Sequence, residues 1–79
     1  MAAVTYIESA RRSAGITQAG AGAIMGMSNV TYGKKEKEPE QFTLGEFFAL
    51  YRELDPESQE IMWCQLVELS RGKNFAVEV

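Results

Sequence analysis

Apolar residues recur along most of this chain at the three-and-four spacing of helices, not at the alternation of strands. The clearest run is Phe47, Leu50, Tyr51 and Leu54, which fall at i, i+3, i+4 and i+7 and form one buried face. Ahead of it, Thr43 and Glu46 have capping-box spacing, and Phe42 and Phe47 have the spacing of a hydrophobic staple. The same reasoning predicts four more helices. Thr5 and Glu8 open a first one of about ten residues, with Ile7, Ala10 and Ala14 inward and a close at Gly15. Thr17 caps a second, "QAGAGAIM", which runs to Gly26. Ser28 caps a third, "NVTYGKKEK", ended by Pro39, because the residue before proline is pushed out of the helical region. Asp55 and Pro56 open a fifth as N-cap and first helical residue, and it runs to Gly72. The tail "NFAVEV" alternates Phe75, Val77 and Val79, an extended pattern, although short tails also fray. The fold class is therefore all-α: five helices with a short C-terminal extended tail.

Two segments depart from an ordinary amphipathic helix. Gly20 and Gly22 each cost about 1 kcal/mol against alanine inside a helix, and close approach of a neighbouring helix is the expected compensation. In the fifth helix, Met62, Trp63, Leu66, Val67 and Leu69 span close to half the circumference, wider than one core-facing stripe needs. Either all of it packs internally, or one flank packs on the third and fourth helices while the other meets a second subunit. Trp63 is the strongest anchor for such a subunit contact.

Seventy-nine residues make one domain with a thin core, and the 46% hydrophobic content is that of a folded chain. Residues 1–54 are expected to form the core unit and 55–79 a dimerisation element of the same domain. One cysteine and no histidine leave no intrachain disulfide, no evident zinc ligand set and no histidine base. Cys64 reads as a buried small hydrophobe, and the carboxylates of residues 36–40 as solvated. Gly20, Gly22 and Gly26 mimic a phosphate-loop spacing, but no strand precedes them. No enzyme, cofactor, metal or small-molecule ligand is therefore expected. With no apolar run of signal-peptide or transmembrane length, the expected location is soluble and cytoplasmic, without a membrane partner.

The formal charge of -3 conceals a division. Residues 1–37 carry five basic side chains against two acidic ones, a balance of +3; residues 38–79 carry three against nine, a balance of -6. A basic half points to a polyanionic partner.

Two short helices joined by a glycine turn at 26–28, the second of them basic and polar (about 28–37), have the form of a helix-turn-helix. The stretch "ARRSAGITQAGAGAIMGMSNVTYGKKEKEP", within residues 7–54, resembles the phage Cro and repressor type of helix-turn-helix domain, the XRE family. The likeness lies in Gly15-Ile16-Thr17-Gln18, in Gly26 eight residues after Gln18 followed by an apolar residue and Ser28, and in "F-T-L-x-E" beyond. Departures are Gly22 where alanine is usual, Tyr32 where isoleucine or valine is preferred, and Lys35 where a large apolar residue is common. The glycine that usually follows the third helix is missing, and Glu38-Pro39 arrive early.

The resemblance implies a lambda-repressor-like fold and a small dimeric repressor that reads a palindromic operator in double-stranded DNA. On that footing Asn29, Val30 and Lys34 face base edges, with Ser28 and Thr31 beside them. Asparagine can bond adenine, lysine can donate to guanine, and a methyl group can meet that of thymine. Gly33 lets the helix sit deeper. Lys35 and Lys37 fall to phosphates, which position without reading sequence. Thr17 and Gln18 offer hydroxyl, amide and backbone N–H groups to another phosphate. Alternatives stay open: Asn29 as a helix-start residue, Lys35 as a stem lying over the core, and Arg11 and Arg12 as surface residues instead of backbone contacts. Tyr32 reads as core. The implied homodimer would use Met62, Trp63, Leu66, Val67 and Leu69. The alternative function is a protein-interaction module, an antirepressor or antitoxin on the same fold.

Overall fold

The computed structural model describes residues 4–72; the tail expectation at 73–79 lies outside them. The described chain is all-α. Its helices are α1 (Tyr6–Ser13), α2 (Gln18–Met25), α3 (Asn29–Lys37), α4 (Leu44–Tyr51) and α5 (Pro56–Gly72), with a 3-10 turn at Pro39–Gln41 between α3 and α4. No helix among the described residues is long and apolar enough to cross a membrane.

Each helix starts where a side chain can take over an orphan backbone N–H. Thr5, Thr17, Ser28 and Thr43 accept from the N–H groups of Glu8, Gly20, Thr31 and Glu46. The Asp55 carboxylate takes the N–H of Ser58 and also its hydroxyl, at 3.3 and 2.7 Å. The capping box is complete at α4. At α1, Glu8 directs its carboxylate to Arg12 Nη2, 2.7 Å away, a partner one turn on.

The closings follow backbone chemistry. Gly15 and Gly26 adopt φ of +74° and +80°, the left-handed region that glycine enters without a Cβ penalty. Glu38, held before Pro39, leaves the helix at φ -130° and ψ 74°, so α3 ends at Lys37. Helix α4 stops at Tyr51, earlier than its apolar spacing implies, and the following turn still brings Leu54 into the core.

Ile7, Ala10, Ala21, Tyr32, Phe42, Phe47, Leu50, Leu54 and Met62 form the core. Tyr32 and Phe42 stack obliquely, with centroids 5.7 Å apart. Helix α5 lies chiefly along α1, not on α3 and α4 as its width suggested. The reason is a polar seam. Buried Gln65 accepts the Ile7 N–H at 3.2 Å, satisfying a first-turn donor of α1, and buried Ser58, whose own proton goes to Asp55, accepts from the Ser13 hydroxyl at 2.9 Å.

The α2 glycines separate into two cases. A Cβ on Gly22 would lie 2.9 Å from the Met27 carbonyl oxygen and 3.2 Å from that of Ser28, so the turn into α3 sits directly against the α2 backbone. At Gly20 the near atoms are Thr17 Oγ1 and Ile16 Cγ2, at 3.2 and 3.4 Å. Close approach of the following segment accounts for Gly22; at Gly20 the neighbours are local side chains of the helix start.

Candidate nucleic-acid interface

The outer surface of α3 is organised by what the helix keeps inside. Tyr32 and Glu36, one turn apart, are fully buried. Glu36 Oε2 accepts from Arg11 Nε at 2.7 Å and from the Tyr32 hydroxyl at 2.6 Å, and Oε1 accepts from Arg11 Nη2 at 3.3 Å and Gln18 Nε2 at 3.1 Å. Arg11 also donates to the Ile16 carbonyl at 2.8 Å. The carboxylate thus receives four hydrogen bonds, the coordination a buried charge needs. Burial alone would push the Glu36 carboxyl up, but the hydrogen bonds from Arg11, Tyr32 and Gln18 outweigh it and hold it below the ordinary range. Its hydrogen bond with Glu36 raises Arg11 despite burial, and burial, then the Glu36 hydrogen bond, raises the Tyr32 phenol.

This network corrects two expectations. Glu36 is not a solvated carboxylate, and Arg11 is neither a surface residue nor a phosphate contact, because its guanidinium is committed to Glu36. Sequence spacing held a signal for the first: a residue one turn after an inward Tyr32 must share its face. Arg12 is exposed and paired with Glu8.

With its acid withdrawn, α3 shows solvent a cationic face. Gln18, Asn29, Val30, Gly33, Lys34 and Lys37 line one shallow concavity. Val30 is 63% exposed, an apolar side chain with no core role. Lys34 and Lys37 are exposed and enter no ion pair among the described residues. Six positions expected from the sequence therefore adjoin one another.

Others are placed differently. Lys35 is half-buried and forms an ion pair with Glu46 at 3.2 Å, so its ammonium is bound to α4 instead of standing free for a phosphate. Ser28 and Thr31 are exposed, but their hydroxyls bond each other at 3.0 Å as part of the helix start. The Thr17 hydroxyl accepts from Gly20 N–H and keeps its own proton to donate outward. Gln18 lies over Gly33, where an added Cβ would sit 3.8 Å from its amide. One of its amide N–H groups is taken by Glu36, leaving the other and the carbonyl oxygen.

The expected dimerisation residues also divide. Met62 and Leu69 are buried in their own chain and are not free for a second subunit, and half-buried Leu66 packs against the core. Trp63 is 51% exposed, and Val67 is half-buried beside it. Cys64 is exposed, not a buried hydrophobe, because it projects from the side of α5 away from Met62 and Leu69. No cluster of metal-ligating residues occurs among the described residues. Comparison with protein-family models, curated proteins and solved structures finds no match to this chain.

Proposed function

We propose that this protein is a sequence-specific DNA-binding transcriptional regulator with a lambda-repressor-like helix-turn-helix, a small phage or prophage repressor of the Cro or autorepressor kind. The observation that carries the reading is the outer face of α3. It presents Asn29, Val30, Lys34 and Lys37 together beside the start of α2, while Glu36 is turned inward and neutralised by Arg11. Inserted in a major groove, such a face offers an amide for adenine, a methyl-bearing side chain for thymine and an ammonium for guanine, each good contact discriminating by about 1–3 kcal/mol. Thr17 and the first N–H groups of α2 would meet the flanking phosphate. The acidic remainder of the chain repels the duplex at long range, so non-specific affinity is low and occupancy depends on the groove contacts.

A mobility-shift titration against the DNA upstream of the protein's own gene, at two salt concentrations and with random competitor, tests the reading. Binding that survives the competitor and weakens steeply with salt supports it. Failure of a folded protein on that DNA and on genomic fragments alike would overturn it in favour of a protein-binding role.

A further inference from the structure

The end of α4 and the start of α5 enclose an open groove lined by Tyr51, Pro56, Gln59, Glu60 and Trp63. Its shape is fixed from within. Gln59 Nε2 donates to the Tyr51 carbonyl at 3.0 Å, tying the first turn of α5 to the last residue of α4. Pro56, at the first helical position, adds a rigid wall. Tyr51 packs edge-to-face with Phe48, their centroids 6.2 Å apart, and Trp63 stands 51% exposed on the α5 side.

The charge around this groove is one-sided. Residues 48–63 carry Glu53, Asp55, Glu57 and Glu60 against Arg52 alone, a balance of -3, and all five side chains are exposed. Glu60 lines the groove and Arg52 does not. None of the four carboxylates enters an ion pair among the described residues. The N-terminal dipole of α5, which would repel a cation, is offset by the Asp55 cap and by Glu57 in the first turn. Aromatic faces beside a carboxylate are the surroundings a guanidinium takes: the rings attract its charge, and the carboxylate accepts its paired N–H groups. The same surface repels nucleic acid and anionic lipid. A second copy, itself at a net charge of -3, is a poor counterpart for it.

We propose that this groove docks an arginine-bearing segment of another protein, one guanidinium lying between Tyr51 and Trp63 and hydrogen-bonded to Glu60. Lysine fits less well, because its ammonium is a compact, strongly hydrated point charge that neither stacks on a ring nor meets a carboxylate bidentately. No α3 residue lines the groove, so the contact stands apart from the DNA-binding reading.

Trp63 is the single tryptophan, so its fluorescence reports on the groove directly. Titration with an end-blocked tetra-arginine peptide at low salt should give a saturable change in Trp63 emission. Tetra-lysine should bind at least about threefold more weakly, and tetra-glutamate should have no effect. Nuclear magnetic resonance should place the largest shifts at Gln59, Glu60 and the Trp63 indole N–H. Glu60→Lys, at an exposed position that leaves the circular dichroism unchanged, should weaken the peptide at least about tenfold. Trp63→Ala, followed by nuclear magnetic resonance, should weaken it about fivefold. An emission that tetra-arginine leaves unmoved overturns the proposal, as does equal affinity for Glu60→Lys or for tetra-lysine. A Trp63-dependent dimer in sedimentation that excludes the peptide overturns it too, and makes a second copy the occupant.

Discussion

Arg11 Nε lies 2.7 Å from Glu36 Oε2, joining the last turn of α1 to the end of α3 in a site from which both side chains exclude solvent. Removing one partner of such a pair leaves an uncompensated buried charge and costs about 3–5 kcal/mol. That is a large share of the roughly 4–12 kcal/mol expected for a chain of this length. Arg11→Met is therefore expected to lower the urea midpoint severely. In a double-mutant cycle with Glu36→Gln, the combined loss should be smaller than the two single losses added. Additive losses would mean that the contact contributes no coupling.

The same carboxylate sets the response to acid. Glu36 is held below its ordinary value of 4.5, so its contribution to stability is complete above that pH and is lost as pH falls through the folded value. Asp55, lowered by its Ser58 hydrogen bond, acts in the same direction. The melting temperature should drop below about pH 4.5, and Glu36→Gln should flatten that drop while lowering the plateau. At the alkaline end the sign is reversed. Buried Tyr32 has its phenol raised above 10.0, so stability is lost as pH climbs past that value, and Tyr32→Phe should remove the loss. Unchanged slopes in both variants would locate the titrating groups elsewhere.

Alanine at the two interior glycines of α2 should act in opposite directions. Each substitution gains about 1 kcal/mol of helix propensity. At position 20 the new methyl meets side-chain atoms at 3.2 and 3.4 Å, which can shift slightly, so Gly20→Ala should raise the melting temperature. At position 22 it meets the Met27 carbonyl oxygen at 2.9 Å, and backbone must move, so Gly22→Ala should lower it. Thermal denaturation of the pair checks the contrast; equal shifts would mean that the turn gives way freely.

The three lysines of α3 should separate in a salt titration of operator binding. Lys37→Ala is expected to weaken binding on all sequences and to flatten the log-log slope by about one. Lys34→Ala should relax discrimination between operator and random DNA. Lys35→Ala should leave the slope near that of wild type, since its ammonium is tied to Glu46. A slope change at Lys35 as large as that at Lys37 would show that the ion pair opens on DNA.

Local signals proved sufficient for local structure. Thr5, Thr17, Ser28, Thr43 and Asp55 mark their helices because a cap needs only residues two or three positions on. Gly15 and Gly26 were legible for the same reason. Glu36 was not, because a glutamate between two lysines reads as solvated until Arg11, twenty-five positions earlier, is known to face it. Helix α5 was misjudged through its breadth. Leu66 and Val67 belong to opposite flanks of one apolar arc, and only the packing of α1 tells which flank is covered. On α3 the outward placement of Asn29, Val30, Lys34 and Lys37 is legible from helical spacing, whereas that of Lys35 is not, because its partner lies on another helix.

The anchoring of α3 by Tyr32 and Glu36 has a bearing on how this protein can change. Those two side chains and the Ser28 cap hold the helix, and they lie apart from Asn29, Val30, Lys34 and Lys37. Those outward positions are consequently free to vary with little effect on stability, since surface substitutions rarely move it by more than about 0.5 kcal/mol. The scaffold can persist through a lineage while the lettering on its exposed helix is rewritten.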